Sequence, residues 1–201
     1  MKTALIASLV CFLCACASID ELKSTKTYTP KKQREGTINV APLATGIKNS
    51  LIGKTTVIFI PVGNIRAQGD TSANIMKSVS LALTAAGYNN NETASYTSEN
   101  ASYIRAHVES IELGNFLFST WGTIILQLRL ETRDGEVLWE RRIRSSVNAI
   151  NNYERTASVT MNRLVKDLAK KFVSEDFYIA TQRVKRHNDF LNDASSQAKA
   201  D

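Results

Sequence analysis

The stretch Leu126-Gln127-Leu128-Arg129-Leu130-Glu131-Thr132-Arg133-Asp134-Gly135-Glu136-Val137-Leu138-Trp139-Glu140-Arg141-Arg142-Ile143 decides the fold. Apolar and polar residues alternate on both sides of Asp134-Gly135, the period of strands with one wet face. Asp-Gly is a favoured centre of a type I′ turn, because glycine accepts positive φ without steric cost. A two-residue loop pairs Arg133 with Glu136. Leu130 then faces Trp139, Leu128 faces Arg141 and Leu126 faces Ile143, on a side that is apolar except for Arg141. On the other side Arg129 faces Glu140 and Glu131 faces Leu138. Opposite charges at Arg129 and Glu140 support this register by roughly 0.2–1 kcal/mol.

Outward from the hairpin, the pattern continues. Upstream, Tyr103 to Leu113 reads as a strand: Ile104, Ala106 and Val108 share one face, whereas Ile111 and Leu113 have the other parity. A bulge near Glu109-Ser110 reconciles the two. Gly114-Asn115 reads as a turn, followed by the aromatic stretch Phe116-Leu117-Phe118-Ser119-Thr120-Trp121. Residues 88–102, rich in Asn, Ser and Thr, read as a surface loop. Before them Ile75, Val79, Ala82, Leu83 and Ala86 mark one face of a helix, with Asp70, Thr71 and Ser72 as candidate N-caps and Gly87 as a left-handed C-cap. Residues 61–70 read as a loop behind the run Thr55-Thr56-Val57-Ile58-Phe59-Ile60, which suits a strand buried on both faces. Thr37-Ile38-Asn39-Val40-Ala41-Pro42 reads as a short edge strand stopped by proline. Downstream, Met161, Leu164, Val165, Leu168 and Phe172 make the stripe of a helix over 154–174. Phe177, Tyr178, Val184 and Phe190 extend the helical spacing, but the last ten residues carry nothing that would order them.

The order β, β, α, β, β, β, α gives an α+β domain: a small mixed, mainly antiparallel sheet with two helices packed on one face. The expected organisation is a leader over 1–15, a flexible tether over 16–36, one domain over 37–180 and a polar C-terminal tail over 181–201. The tether is expected because 17–36 is polar, carries Lys31, Lys32 and Arg34, and shows no apolar period.

The N-terminus says where the chain goes. Lys2 precedes a short apolar run, Ala4 to Ala15, of the length of an export-signal core and too short to span a bilayer. It ends in Leu13-Cys14-Ala15-Cys16, which resembles the lipobox of bacterial lipoproteins. That resemblance implies cleavage before Cys16 and its modification by a diacylglycerol and an N-acyl group, the chain being held by outer-membrane lipid. The same resemblance implies, from Ala17 in place of Asp, sorting to the outer membrane, facing the periplasm. All three cysteines lie at or before position 16, so the exported domain is held without disulfides. The formal net charge is +6, lowered by one when Lys2 leaves with the leader. This mild basicity suits lipid head groups or an acidic protein face, and export leaves no nucleic acid to be expected as a partner.

Catalytic chemistry is not visible. The two histidines, His107 in a strand and His187 in the basic tail, have no neighbouring nucleophile pattern, and no His or Cys cluster has metal-ligand spacing. The loop before the first helix lacks the Gly-Lys-Ser/Thr of a phosphate loop. The reading is therefore non-enzymatic, without cofactor or metal.

The Thr-Ile-x-Val-x-Pro start at 37–42, the buried strand, the helix ending Ala86-Gly87-Tyr88, the hairpin, the last amphipathic helix and the lipobox together resemble the YajG-type family of Gram-negative lipoproteins. A looser likeness is to ABC-transport auxiliary lipoproteins. The family implies an outer-membrane address and a fold, and no settled activity. Two functional readings follow. In one, the chain is an accessory or interaction module of an envelope complex, whose open sheet face, with Arg129, Glu140, Arg142 and Arg144, meets an envelope protein. In the other it binds lipid or glycolipid in transport between membranes, through the apolar contacts Phe116, Phe118 and Trp121.

Overall fold

A computed structural model of the chain describes residues 17–29, 33–34, 36–43, 51–57, 60–92, 102–116, 119–150 and 152–197. Within them a curled mixed sheet carries helices on its inner face. The strands are β1 (Ala17–Ile19), β2 (Thr37–Val40), β3 (Leu51–Val57), β4 (Ile60–Ala67), β5 (Asn89–Glu92), β6 (Ser102–Phe116), β7 (Ser119–Glu131) and β8 (Val137–Ile150). The helices are α1 (Thr71–Ala86), α2 (Tyr153–Phe172) and α3 (Glu175–Gln197). The sheet runs β1-β4-β3-β6-β7-β8, and β2 with β5 branches from the start of β6. The long pairs β3/β4, β6/β7 and β7/β8 are antiparallel; β1/β4, β3/β6, β2/β6 and β2/β5 are parallel.

The central hairpin keeps the expected pairs from Leu130–Trp139 outward, including Arg129–Glu140, Leu128–Arg141 and Leu126–Ile143. Its turn differs. The Thr132 N–H donates to the Glu136 carbonyl and the Gly135 N–H to the Thr132 carbonyl, with Gly135 at φ +91°. This is a three-residue loop with glycine in the left-handed position, not a two-residue type I′ turn. Thr132 Oγ1 favours it by donating to Asp134 and accepting from the Glu136 N–H. The extra residue is absorbed next to Leu130, so that Glu131 pairs with Val137 and not with Leu138.

The bulge in β6 stands where the change of parity places it, between Val108 and Ser110. Gly114-Asn115 does not turn the chain: β6 continues to Phe116 and pairs with β7 from Ser119. Residues 61–67, expected as loop, form β4, in which Pro61 sits next to the strand start, a tolerated place. β2 is not an edge strand, since β5 and β6 flank it. Within 88–102, Asn89–Glu92 is a strand.

α1 is capped as its sequence indicates. Asp70 accepts from the Ala73 N–H, and Gly87, at φ +93°, closes a Schellman motif with Gly87 N–H to Thr84 and Tyr88 N–H to Leu83. α2 starts at an Asn152 cap that accepts from the Arg155 N–H. Its stripe of Met161, Leu164, Val165, Leu168 and Phe172 is fully buried against β7 and β8. Each such side chain contributes on the order of 1.5–3 kcal/mol of burial.

Two segments read as free belong to the domain. Ala17–Ile19 is a sheet strand, Ile19 and Leu22 are buried, and Ser24, Thr25 and Tyr28 hydrogen-bond to Asn162 or Ser158 on α2. Arg34 donates from its backbone to Gly87 and from its guanidinium to Val173, tying the ends of α1 and α2 together. The described part of 16–36 is therefore docked and not a flexible tether; Lys31 and Lys32 lie outside the described residues. The tail expected over 181–201 is instead helical to Gln197: α3 is a third helix, and it buries Phe177, Ala180, Val184 and Asn188.

Candidate functional site

The outer face of β6–β8 is a ladder of polar side chains that no described helix covers. One row holds Arg105, Arg129 and Glu140, the next His107, Gln127 and Arg142, and the row past the bulge Ser110, Ile125 and Arg144. Arg129 and Arg105 are like charges directly opposite each other, which is destabilising unless each finds a carboxylate. Glu140 meets Arg129 at 2.6 Å and Glu131 meets Arg105 at 3.1 Å. Glu140 also accepts from Gln127 at 2.6 Å. The Glu140 carboxylate holds the Arg129 guanidinium above its ordinary pKa. Arg142 reaches Glu109 at 2.6 Å, since the bulge leaves Glu109 on this face. Arg144 is exposed and has no ion-pair partner among the described residues. Of the four residues expected to form a partner face, the structure brings all onto one surface, but three are engaged and Arg144 alone offers an unspent charge among the described residues.

The expected apolar contacts are only partly described. Phe118 and the Phe116 side chain lie outside the described residues. Trp121 is half-buried and stands opposite Gly114, where a Cβ would sit 2.5 Å from the indole ring. The ring thus lies against bare backbone, the arrangement by which an aromatic covers a strand glycine. Beside it Gly53, Lys54, Ile111, Glu112, Leu113 and Asn115 line a cleft of about 370 Å³. β3 approaches here because Gly53 has no side chain: a Cβ would fall 1.8 Å from the Leu113 carbonyl oxygen.

A third locus was not legible as a site. Arg141 interrupts the apolar side of the hairpin, and the start of α3 explains how. Its guanidinium lies over Trp139 and meets Asp176 at 2.7 Å, while the Trp139 indole donates to the same carboxylate at 3.1 Å. The Asp176 pKa falls to about 2, chiefly through a hydrogen bond from Ser174, then the Trp139 indole, the Phe177 N–H and the charge of Arg141. The sequence signal was Ser174-Glu175-Asp176, a cap followed by two acidic residues at a helix start. The residues engage one another, so the group reads as a corner clamp.

His107 is exposed on the sheet face. His187 meets Asp134 at 3.1 Å. Asp134 is held below its ordinary pKa, first by the Thr132 hydroxyl and then by His187. Among the described residues no group of three or more His, Cys, Asp or Glu could hold a metal ion. No described helix is long and apolar enough to cross a membrane.

No family model matches the chain, and no curated protein matches it. Solved structures do. A Xanthomonas campestris protein assigned to the family model DUF330 superposes with a TM-score of 0.52 at 13% identity, covering 84% of this chain and 98% of that one. A putative neuraminyllactose-binding hemagglutinin homolog of Helicobacter pylori gives 0.46 at 10% identity, covering 85% and 99%. A minor lipoprotein of Acinetobacter baumannii gives 0.38 at 13% identity, covering 72% and 94%. The first establishes a shared fold.

Proposed function

We propose that the chain is an outer-membrane lipoprotein of the YajG type, anchored through acylated Cys16 and facing the periplasm, that serves as a non-enzymatic interaction module for an envelope protein. The carrying observation is the outer face of β6–β8, which no described helix covers, where ion pairs engage Arg129, Glu140 and Arg142 and Arg144 has no ion-pair partner among the described residues, beside half-exposed Ile125. Charged residues on such a face choose partners and steer encounter more than they add affinity. An acidic or carboxylate-bearing protein surface complements it.

The arginines are not equivalent as tests. Reversal of Arg129 or Arg142 would break a ladder ion pair, whereas reversal of Arg144 changes only what the face presents. A photo-crosslinking residue is placed at Ile125 in the lipidated protein in its own membranes, with the same residue at exposed Lys166 on α2 as control. A discrete adduct from position 125, absent from 166 and lost in Arg144→Glu, is expected. The same adducts from both positions, or persistence in Arg144→Glu, would sink the proposal.

The lipid-carrier reading has less support. The cleft beside Trp121 is at the low end of ligand-sized cavities.

A further inference from the structure

β1 begins at Ala17, the residue bonded to Cys16, so no length of free chain separates the two. The registers give Ala17 its place in the sheet. Ala17 stands opposite Ile65, Ile65 opposite Gly53, Gly53 opposite Leu113, Leu113 opposite Gly122 and Gly122 opposite Val147. One row thus crosses from β1 to β8. The next row toward Cys16 holds Asn64, Lys54, Gly114, Trp121 and Asn148. Beyond it the β3/β4 pair ends at Val57 and Ile60, and the β6/β7 pair ends at Phe116 and Ser119.

The geometry points to this end of the sheet as a surface that seats on the lipid bilayer, with Trp121 at head-group level and the ends of β3/β4 and β6/β7 toward the acyl chains. The inference rests on Cys16 being the lipid anchor. Successive Cα atoms are about 3.8 Å apart, so an acylated Cys16 fixes the level of the Ala17 row to the membrane surface. Trp121, one row further, is then where indoles prefer to sit, with an apolar body and a polar N–H at the interface. Phe116 lies two residues past Gly114, and Val57 three past Lys54. At about 3.4 Å per residue these strand ends reach roughly 7–10 Å deeper. Apolar elements lying in the interface bury about 5–10 Å.

The occupant is lipid because the anchor brings lipid to this end. Lys54 and Glu112 are both exposed at the cleft and offset each other, so head-group charge is not the driving term. Several acyl chains hold the protein, and the sheet end sets how it stands.

The two tryptophans make the test. Trp139 pairs with Leu130, nine residues along β7 from Trp121 and about 30 Å away, and is only 6% exposed. The mature lipidated chain is placed in phosphatidylcholine vesicles whose acyl chains carry bromine near the carboxyl end, which quenches indole emission on contact. In Trp139→Phe, which leaves Trp121 as the emitter, the larger part of the emission is expected to be lost. In Trp121→Phe none is. Should Trp139→Phe not fold, the wild-type loss minus that of Trp121→Phe reports Trp121 alone. Flotation and the mass of Cys16 are read on the same sample. Unquenched Trp121 in an acylated, vesicle-bound protein would overturn the orientation and leave the lipoprotein reading standing. Equal quenching of both tryptophans would also overturn it. Unmodified Cys16 would overturn both.

Discussion

At Gly122 the sheet meets Thr160 of α2 with no room for a side chain, and Gly122→Ala tests whether that close approach holds the two layers together. A Cβ there would lie 2.2 Å from Thr160 Oγ1, 2.9 Å from a Leu113 methyl and 3.2 Å from Thr160 Cβ. Ordinary heavy-atom contact is about 3.5–4.0 Å, so the hydroxyl contact is more than an ångström too short. Thr160 has little room to yield. It is fully buried, it is β-branched, and its hydroxyl donates to the Thr156 carbonyl at 2.6 Å. α2 must lift, or Thr160 must leave its rotamer. Overpacking of this kind costs about 1–3 kcal/mol, and the lower unfolded-chain entropy of alanine returns about 0.4–1 kcal/mol. The net is a loss of about 1–2 kcal/mol, or roughly 2–8 °C in Tm for a chain of this size. Urea unfolding of a soluble chain starting at Ala17 measures it. Thr160→Ala removes the clashing oxygen and leaves the 2.9 Å contact with the Leu113 methyl, at the end of a side chain, and the 3.2 Å contact with the residue-160 Cβ, both far milder than the one removed. In the double variant the two losses should fall short of their sum by about 1 kcal/mol or more. Stability of Gly122→Ala within about 0.5 kcal/mol of wild type, or plain additivity, would refute the reasoning.

Three further outcomes are expected. Leu22→Ala should cost about 2–4 kcal/mol in urea unfolding if residues 17–28 are part of the core; an unchanged midpoint would restore them as a tether. Asp176→Asn should flatten the acid limb of stability: a carboxyl whose pKa is about 2 folded against 3.8 ordinarily stabilises above the higher value and loses that contribution as pH falls toward the lower. Because 45% of its side-chain surface is exposed, the effect is screened to about 1 kcal/mol at most. An identical acid limb in wild type and variant, read as urea midpoints between pH 5 and 2, would count against the clamp. Gly135→Ala should cost about 1–2 kcal/mol through its positive φ alone, since no atom of the described residues lies within 4 Å of the added carbon, and Gly135→Asn should cost less; equal stability of the three would show that the turn relaxes.

The parts of the fold that were legible are those whose information is local. Alternation on both sides of Asp134-Gly135 fixed which residues of β7 and β8 face each other, and the change of parity between Val108 and Ile111 located the bulge that exposes Glu109. The parts that were not legible are stabilised by distant partners. Ile19 and Leu22 are two apolar residues in a polar run with no period, and only β4 and α2 give them somewhere to go. β4 carries Pro61 and Gly63, residues that punctuate loops when read singly, and its strand character comes from β3 and β1. The loop at Asp134-Gly135 gained a residue because the Thr132 hydroxyl holds the longer turn, a side-chain effect that the dipeptide rule does not include. For the candidate site, Arg129 and Glu140 were readable as a pair from register alone. The contact of Trp121 with Gly114 was not, because Gly114-Asn115 carries a turn signal that pairing with β7 overrides.

A free tether and a docked one give a partner-binding face different geometry. Twenty flexible residues would let the domain wander over roughly 25 Å and present its sheet in any direction. With Ala17 already in the sheet, the proposed orientation ranks the outer face of β6–β8 by height above lipid. Ile125 and Arg144 stand about 14 Å above the Trp121 row, and Arg129 and Glu140 about 27 Å above it. The arginine of the ladder that has no ion-pair partner among the described residues is then its membrane-proximal member, and the paired rows lie above it. A partner engaging Arg144 has to approach within a strand's length of the bilayer, which selects envelope proteins that are themselves held at the membrane over those diffusing in the periplasm. Seating the sheet end on lipid and holding a partner at Arg144 are thus one arrangement, because the first sets the height at which the second can occur.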